Sequence, residues 1–390
     1  MTIQPTAPIA PGDFESLRRQ MPVADTWAYL DHAAVAPWPR ACRDVFAAWL
    51  DDVTANGDVH WPRWSSQLET VRRRGAALLG ADPAEIALVR NTTEGVTLVA
   101  EGYPWQSGDN VVTLADEFPA NVYPWLNLAA RGVETRRVAT EFGRYDLSDL
   151  AAACDSRTRI VSVSWVNYAT GWRNDLDALA HLAHERGALL FVDGIQGLGV
   201  FPLDVSRTPI DFLAADGHKW LLGPEGAGYL YVRREHLDRL LPLGVGWNSV
   251  VQGNNYALIE MNLRPTAARY EGGSQNVGGL LGLGASVELL LALGVETIAA
   301  RLIDLTNQAC ERLASIGLNV VSPREPSHES GIVSFEWSGP DPIAARKACV
   351  DAGIVLSCRN GRLRISPHAY NDAGDLDRLI KALKRASSQG

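Results

Sequence analysis

Asp193 closes the apolar run Ala188-Leu189-Leu190-Phe191-Val192, and Lys219 follows on the segment Asp216-Gly217-His218-Lys219-Trp220. The run has the length and composition of a buried strand, so it delivers a carboxylate at its end. The chain between the two residues is long enough for one further strand and its connections. A carboxylate there can keep a pyridine nitrogen protonated so that the ring accepts electrons. A lysine amine can hold an aldehyde as a Schiff base and afterwards carry protons. These are the two groups that pyridoxal phosphate chemistry requires. Lys219 is thus the candidate nucleophile, with Asp193 as the carboxylate for the pyridine nitrogen.

A phosphate site is legible upstream. Arg90-Asn91-Thr92-Thr93-Glu94-Gly95 follows the strand-like Ile86–Val89 and opens the apolar helix Val96-Thr97-Leu98-Val99-Ala100. Free backbone N–H groups at a helix start, with the hydroxyls of Thr92 and Thr93 beside them, suit a dianion. Taken alone, the same pattern also serves as an ordinary N-cap.

The elements that must position these groups alternate along the chain. A helix is expected over 65–79, a strand over 86–89 and a helix from about 93. A strand over 110–114, a helix over 120–130 and strands over 134–138 and 159–164 follow. Strand–helix alternation to about residue 240 predicts a mostly parallel sheet covered on both faces. Helices over 279–293 and 295–316, strands over 319–321 and 331–335, and a terminal helix over 373–385 predict a smaller α+β domain. The expected division is an N-terminal arm (1–30) contributing to the small domain, a large cofactor-binding domain (31–285) and a small C-terminal domain (286–390).

With 390 residues, 46% of them hydrophobic, the chain can bury a core large enough for two domains. Its net charge of −9 argues against a nucleic-acid surface, which needs clustered positive charge. Arg72-Arg73-Arg74 reads as a helix face. No apolar run is long enough to cross a bilayer, and residues 1–13 lack a basic stretch followed by an apolar core. Cys42, Cys154, Cys310, Cys349 and Cys358 form no CxxC pair, which predicts reduced thiols and a cytoplasmic location. His181 and His184 share a helix face with no third ligand nearby, so no metal site is expected.

From Asp193-Gly194-Ile195-Gln196 through Lys219 to Gly223-Pro224-Glu225-Gly226-Ala227-Gly228 and the strand Tyr229-Leu230-Tyr231-Val232, the chain resembles the class V aminotransferase superfamily of fold-type I pyridoxal phosphate enzymes. That superfamily includes cysteine desulfurases, selenocysteine lyases, isopenicillin N epimerases and kynureninases. The resemblance implies an α/β fold with a mostly parallel sheet of the seven-stranded type and a smaller α+β domain. It also implies pyridoxal 5'-phosphate as cofactor and a homodimer with shared active sites.

Further segments carry the likeness across nearly the whole chain. The resemblance assigns Thr92 and Thr93 to the cofactor phosphate, and His218 with them. Asp116-Glu117-Phe118-Pro119-Ala120-Asn121 places Phe118 on the cofactor ring, where desulfurases usually have histidine; a phenyl ring stacks but cannot relay protons. Ser164-Trp165-Val166-Asn167-Tyr168-Ala169-Thr170-Gly171 puts Asn167 against the cofactor's phenolic oxygen or the substrate, and Gln196 against the former. Asp216 stands where desulfurases often carry serine; a carboxylate there would be repelled by a phosphate and is expected to face another partner. Arg269-Tyr270-Glu271-Gly272-Gly273-Ser274 implies that Ser274 reaches the phosphate of the neighbouring subunit. Arg364-Ile365-Ser366 implies that Arg364 grips the substrate α-carboxylate, a contact suited to a planar fork of donors. Tyr29-Leu30-Asp31-His32-Ala33-Ala34 lays the backbone of Ala33 and Ala34 beside that carboxylate.

The implied activity acts on an α-amino acid through its α-carbanion. In desulfurases a cysteine on a flexible loop before the carboxylate arginine attacks the substrate sulfur. Here Cys358 ends an apolar strand and the connection to Arg364 is very short. The expectation is therefore a desulfurase-like enzyme or a C–S lyase in which Lys219 removes the α-proton. A class V aminotransferase or an amino-acid epimerase is the alternative, since the same carbanion can be reprotonated elsewhere. A non-catalytic cofactor-binding regulator is disfavoured, because the chain has neither spare length nor a basic helix for reading DNA.

Overall fold

A computed structural model describes residues 10–339 and 341–388. Its strands are β1 (Ala28–Tyr29), β2 (Ile86–Val89), β3 (Asn110–Leu114), β4 (Glu134–Val138), β5 (Thr158–Ser164), β6 (Leu189–Asp193), β7 (Phe212–Asp216), β8 (Gly228–Val232), β9 (Val333–Phe335), β10 (Ile354–Val355), β11 (Ser357–Arg359) and β12 (Arg362–Ile365). Seven of them form one sheet in the order β2-β8-β7-β6-β5-β3-β4. Neighbours run parallel except at β8, which lies antiparallel to both β2 and β7. Strands β2, β3, β7 and β8 are buried along their whole length, as expected of a sheet covered on both faces. The register sets Ser164 beside Asp193 and Asp193 beside Ala214, so the carboxyl ends of β5, β6 and β7 come out side by side. Ligands of open α/β sheets bind at such an edge, where the connecting loops diverge.

The smaller unit is the antiparallel sheet β11-β12-β9, with β1 and β10 paired parallel beside it. Its core joins Val333, Phe335, Leu363 and Ile365 to Leu305, Ala309 and Leu313 of the helix Val295–Ser315 and to Leu376, Leu379 and Leu383 of the helix Ala373–Ser388. Ile298 and Leu302, one turn and two turns into the helix Val295–Ser315, belong instead to the large core. That single helix is therefore rooted in both units. The division expected at 285 falls inside the helix Val277–Leu293, whose apolar side chains join the large core; the change of core comes later, within Val295–Ser315.

Two local expectations differ from the structure. The segment 120–130 is not one helix but a 3-10 turn (Pro119–Asn121), a single α turn (Tyr123–Leu126) and a second 3-10 segment (Asn127–Arg131). Pro119 and Pro124 supply no backbone N–H, and each opens a new short turn instead of continuing the last. Residues 319–321 contribute only an isolated bridge, Val320 to Phe335. Among the described residues no single helix is long and apolar enough to cross a membrane.

Candidate active site

The floor of the site is made by two strand ends. Asp193 is the last residue of β6 and is buried. One of its oxygens accepts the Ile195 backbone N–H at 3.1 Å. Burial drives its carboxyl up to about 6, opposed by that hydrogen bond and by the charge of Lys219. Lys219 lies just past the end of β7, 8% exposed, with Nζ 5.4 Å from the centroid of the Phe118 ring. Burial pushes its ammonium down to about 8 against the attraction of Asp193, and the positive charge of Arg364 adds to the depression. A lysine so placed has a sizeable neutral fraction near neutral pH, as a nucleophile and proton carrier needs. Phe118 meets Tyr168 edge to face at 5.2 Å, and both rings line the cavity.

Gln196 fixes the back of the floor. Its amide nitrogen donates to the Ala33 carbonyl at 3.0 Å, and its oxygen accepts from the indole N–H of Trp220 at 2.7 Å. Behind Phe118, Glu117 is buried and accepts from both the backbone N–H and the hydroxyl of Ser164. Burial pushes Glu117 up to about 7, and the nearby Asp193 charge acts in the same direction.

At the other end, the helix Thr92–Gly102 begins beneath an Asn91 cap, whose side chain accepts the Glu94 N–H at 2.8 Å. The N-terminal turn faces the same cavity as Thr92, Thr93 and His218. Thr92 Oγ1 accepts the backbone N–H of Asp216 at 3.0 Å, leaving its hydroxyl proton to donate. Asp216 has turned to other partners: one oxygen accepts the Gly217 N–H at 2.7 Å and the other lies 2.8 Å from His218 Nδ1, off line for a hydrogen bond.

The wall comes from the small unit. Strands β11 and β12 form a hairpin whose two-residue turn, Asn360-Gly361, has positive φ at both positions, the geometry that favours these two residue types. Arg364, 1% exposed, donates from Nε to Ser357 Oγ (3.0 Å), from Nη2 to Asp31 Oδ1 (3.0 Å) and from Nη1 to the Tyr168 carbonyl. Arg362 stays outside, over the Phe142 ring and 3.6 Å from Glu336. Side chains alternate along β11: Ser357 bonds Asp31 and Arg364, Arg359 lines the cavity, and Cys358 between them packs on the small core.

These elements enclose a cavity of about 280 Å³ lined by Ala33, Ala34, Thr92, Thr93, Phe118, Asp193, Gln196, His218, Lys219 and Arg364, all named by the sequence, together with Tyr168 and Arg359. A larger, more open cleft of about 880 Å³ borders His181, Asp204 and Arg207, but no lysine and no fully buried carboxylate lines it. His184, on its rim, is tied to Asp211 at 2.8 Å.

One sequence expectation is redrawn. Asn167 does not line the cavity: its oxygen caps its own turn, accepting from Ala169 and Thr170, and its amide donates to the Asp116 carbonyl. Its neighbour Tyr168 lines the cavity instead. Ser274 also lies outside the cavity of its own chain, in a small niche with Trp247, Arg264 and Glu271. Arg72 lies on the helix Trp61–Leu79, buried and paired with Glu271 through both terminal guanidinium nitrogens. Glu271 in turn accepts the Leu88 N–H and the Gln275 amide, so this pair anchors the loop that carries Ser274.

The donor set fits pyridoxal phosphate. Asp193 is a buried carboxylate with a single hydrogen bond and, among the described residues, no salt-bridge contact, which leaves an oxygen for a pyridinium N–H. A helix start with two hydroxyls would hold the phosphate, and Lys219 is a depressed-pKa amine between the two ends.

The aminotransferase class-V family profile matches residues 28–379. A cysteine desulfurase of Dickeya dadantii (strain 3937) is 36% identical over 92% of this chain and 91% of its own. A probable cysteine desulfurase of Methanothermobacter thermautotrophicus is 30% identical over 96% and 98%. Among solved structures, the apo cysteine desulfurase of Thermococcus onnurineus NA1 superposes with a TM-score of 0.87 at 25% identity, covering 96% of this chain and 98% of that one.

Proposed function

The chain belongs to the class-V aminotransferase family, as a cysteine desulfurase-like pyridoxal phosphate enzyme, and we propose that it cleaves the C–S bond of a cysteine-type amino acid by β-elimination, with Lys219 as the base. The observation that carries this reading is the placement of Cys358: it faces the small core, while Lys219, Arg359 and Arg364 share the cavity. Among the described residues no cysteine lines that cavity. A step that hands sulfur to an enzyme thiol therefore has no thiol within the site, whereas proton abstraction needs only the lysine.

When bound, pyridoxal phosphate would supply an aldehyde for Lys219 and a ring able to accept the electron pair left at the α-carbon. The residues do the rest. Arg364, held by Asp31 and Ser357, would take the α-carboxylate and set the α-C–H bond upright over the floor. Asp193 would stand against the pyridine nitrogen, and the phenyl ring of Phe118 would cover the ring plane. Lys219 would take the α-proton; the β-carbon–sulfur bond breaks, the sulfur leaves as a thiolate that gains a proton, and the released dehydroamino acid hydrolyses to a 2-oxo acid and ammonia. The curated relatives' naming as cysteine desulfurases supports cysteine or a cysteine derivative as the substrate class.

The reading includes a homodimer in which Ser274 serves the partner's phosphate. It is supported by a serine outside its own cavity on an anchored loop, and by Tyr256, Ile259 and Met261, which are 74%, 89% and 76% exposed on the preceding excursion of the chain. A reducing, cytoplasmic setting completes it, in keeping with five unpaired cysteines.

Product analysis tests the reaction. A thiol or sulfide in step with a 2-oxo acid and ammonia is expected; alanine formed from cysteine in a Cys358-dependent way would overturn it. A requirement for an added oxo acid would point to transamination.

A further inference from the structure

The cavity holds one more cation than the reaction above employs. Lys219 faces Asp193, and Arg364 is paired with Asp31. Arg359 lines the same cavity, yet among the described residues it makes no ion pair; its guanidinium donates only to the carbonyl of Cys358, at 3.1 Å. The carboxylates that line the cavity are already engaged. Asp193 sits beneath Lys219, and Asp216 lies between the Gly217 N–H and His218. An arginine held in a partly enclosed, low-dielectric space without a counter-ion is set up to receive an anion from outside.

The hairpin fixes where that anion must be. Ser357 is paired in register with Arg364, and Arg359 lies two residues further along the same strand, on the same face. Two residues of strand carry it about 7 Å from the α-carboxylate arginine. The turn Asn360-Gly361 adds no slack to this spacing. An amino acid whose carboxylate rests on Arg364 would therefore bring the end of its side chain toward Arg359.

We propose that Arg359 is a specificity-determining residue that selects amino acids carrying a second anionic group at the far end of the side chain, such as an S-carboxyalkyl cysteine. The inference rests on the reading that an α-amino acid binds through Arg364, and it adds to that reading the charge of the leaving group.

The experiment compares S-carboxymethyl-L-cysteine with S-methyl-L-cysteine on the cofactor-loaded enzyme, reading the change in cofactor absorbance for binding and 2-oxo acid release for turnover. The acidic substrate should bind about 10-fold or more tightly than the neutral one, and the ratio should fall toward one in Arg359→Gln. Arg359→Lys, which keeps the charge but not the fork, should recover part of the ratio and controls for misfolding. A wild-type ratio at or below one would overturn the proposal. So would a ratio that survives in Arg359→Gln while both affinities fall together, since that places Arg359 on the α-carboxylate. A spectral response without product would count against elimination and leave the selection standing. A response to alanine but to neither thioether would overturn the selection alone; silence toward every amino acid would remove both.

Discussion

Lys219 and Asp193 stand at the ends of two buried strands in the middle of a seven-stranded sheet, whereas Arg359 and Arg364 stand on a hairpin of the small sheet that turns in two residues. The floor shifts acid–base equilibria by withholding water: burial moves the aspartate up and the lysine down. The wall works by fixing direction, with every nitrogen of Arg364 already bonded before substrate arrives. On the proposed reading, one region sets what chemistry is available and the other sets which molecule receives it. The difference should separate in mutants: floor changes strike turnover and cofactor, and wall changes strike substrate recognition.

The largest effect is expected at the floor. Lys219→Ala should abolish turnover and the visible absorbance of lysine-bound cofactor, and borohydride reduction of the wild type should leave the cofactor on the Lys219 peptide. Attachment to another lysine would dissolve the distinction between floor and wall.

Asp193→Asn should cut turnover by about 10²- to 10³-fold, because it removes a preorganised charge from a dry site. The same substitution should stabilise the protein without cofactor. With its folded pKa raised, Asp193 holds a proton more tightly when folded than when unfolded, so its contribution to stability falls as pH rises from about 4 to about 6 and stays low above that. Removing the charge should recover on the order of 1–2 kcal/mol at pH 7.5, and much less at pH 4. Thermal unfolding of the cofactor-free proteins at the two pH values measures this; an equal effect at both would mean that the carboxylate is not strained by burial.

At the wall, Arg364→Lys should raise KM about 10-fold or more while leaving cofactor absorbance unchanged, since a point charge cannot reproduce the fork that joins Ser357, Asp31 and the substrate. A loss confined to kcat would move Arg364 from recognition to chemistry. The smallest effect belongs to Cys358→Ser, which should stay within about 2-fold of wild-type turnover as a change on the small-core side of the hairpin.

Much of the floor was legible in the sequence because strand ends, helix starts and a lysine on a turn have local signatures: Asp193, Lys219, Thr92 and Thr93 all line the cavity where the pattern put them. What could not be read was decided by contacts distant in sequence. Tyr168 displaced Asn167 because a turn, not a strand, carries that segment. Arg359 is adjacent to Cys358 in sequence, and the strand β11 turns the two side chains to opposite faces. Arg72 reads as part of a helix face, and its burial against Glu271, 199 residues away, has no local signature. Pro119 and Pro124 were visible; the break they impose on the 120–130 helix follows from them and was open to prediction.

The bond between Asp31 and Arg364 spans 333 residues of chain. During synthesis Asp31 leaves the ribosome roughly 15–70 s before Arg364 does. The central sheet, with Asp193 and Lys219 at its strand ends, is complete by residue 232, so Lys219 and the helix start at Thr92 can take shape before Arg364 exists. On the proposed reading, a chain that stalls or is cut before β12 would then retain a cofactor pocket with no Arg364 to orient an amino acid in it. Vectorial synthesis thus orders the assembly of this enzyme: the buried lysine first, and the arginines of the small sheet last.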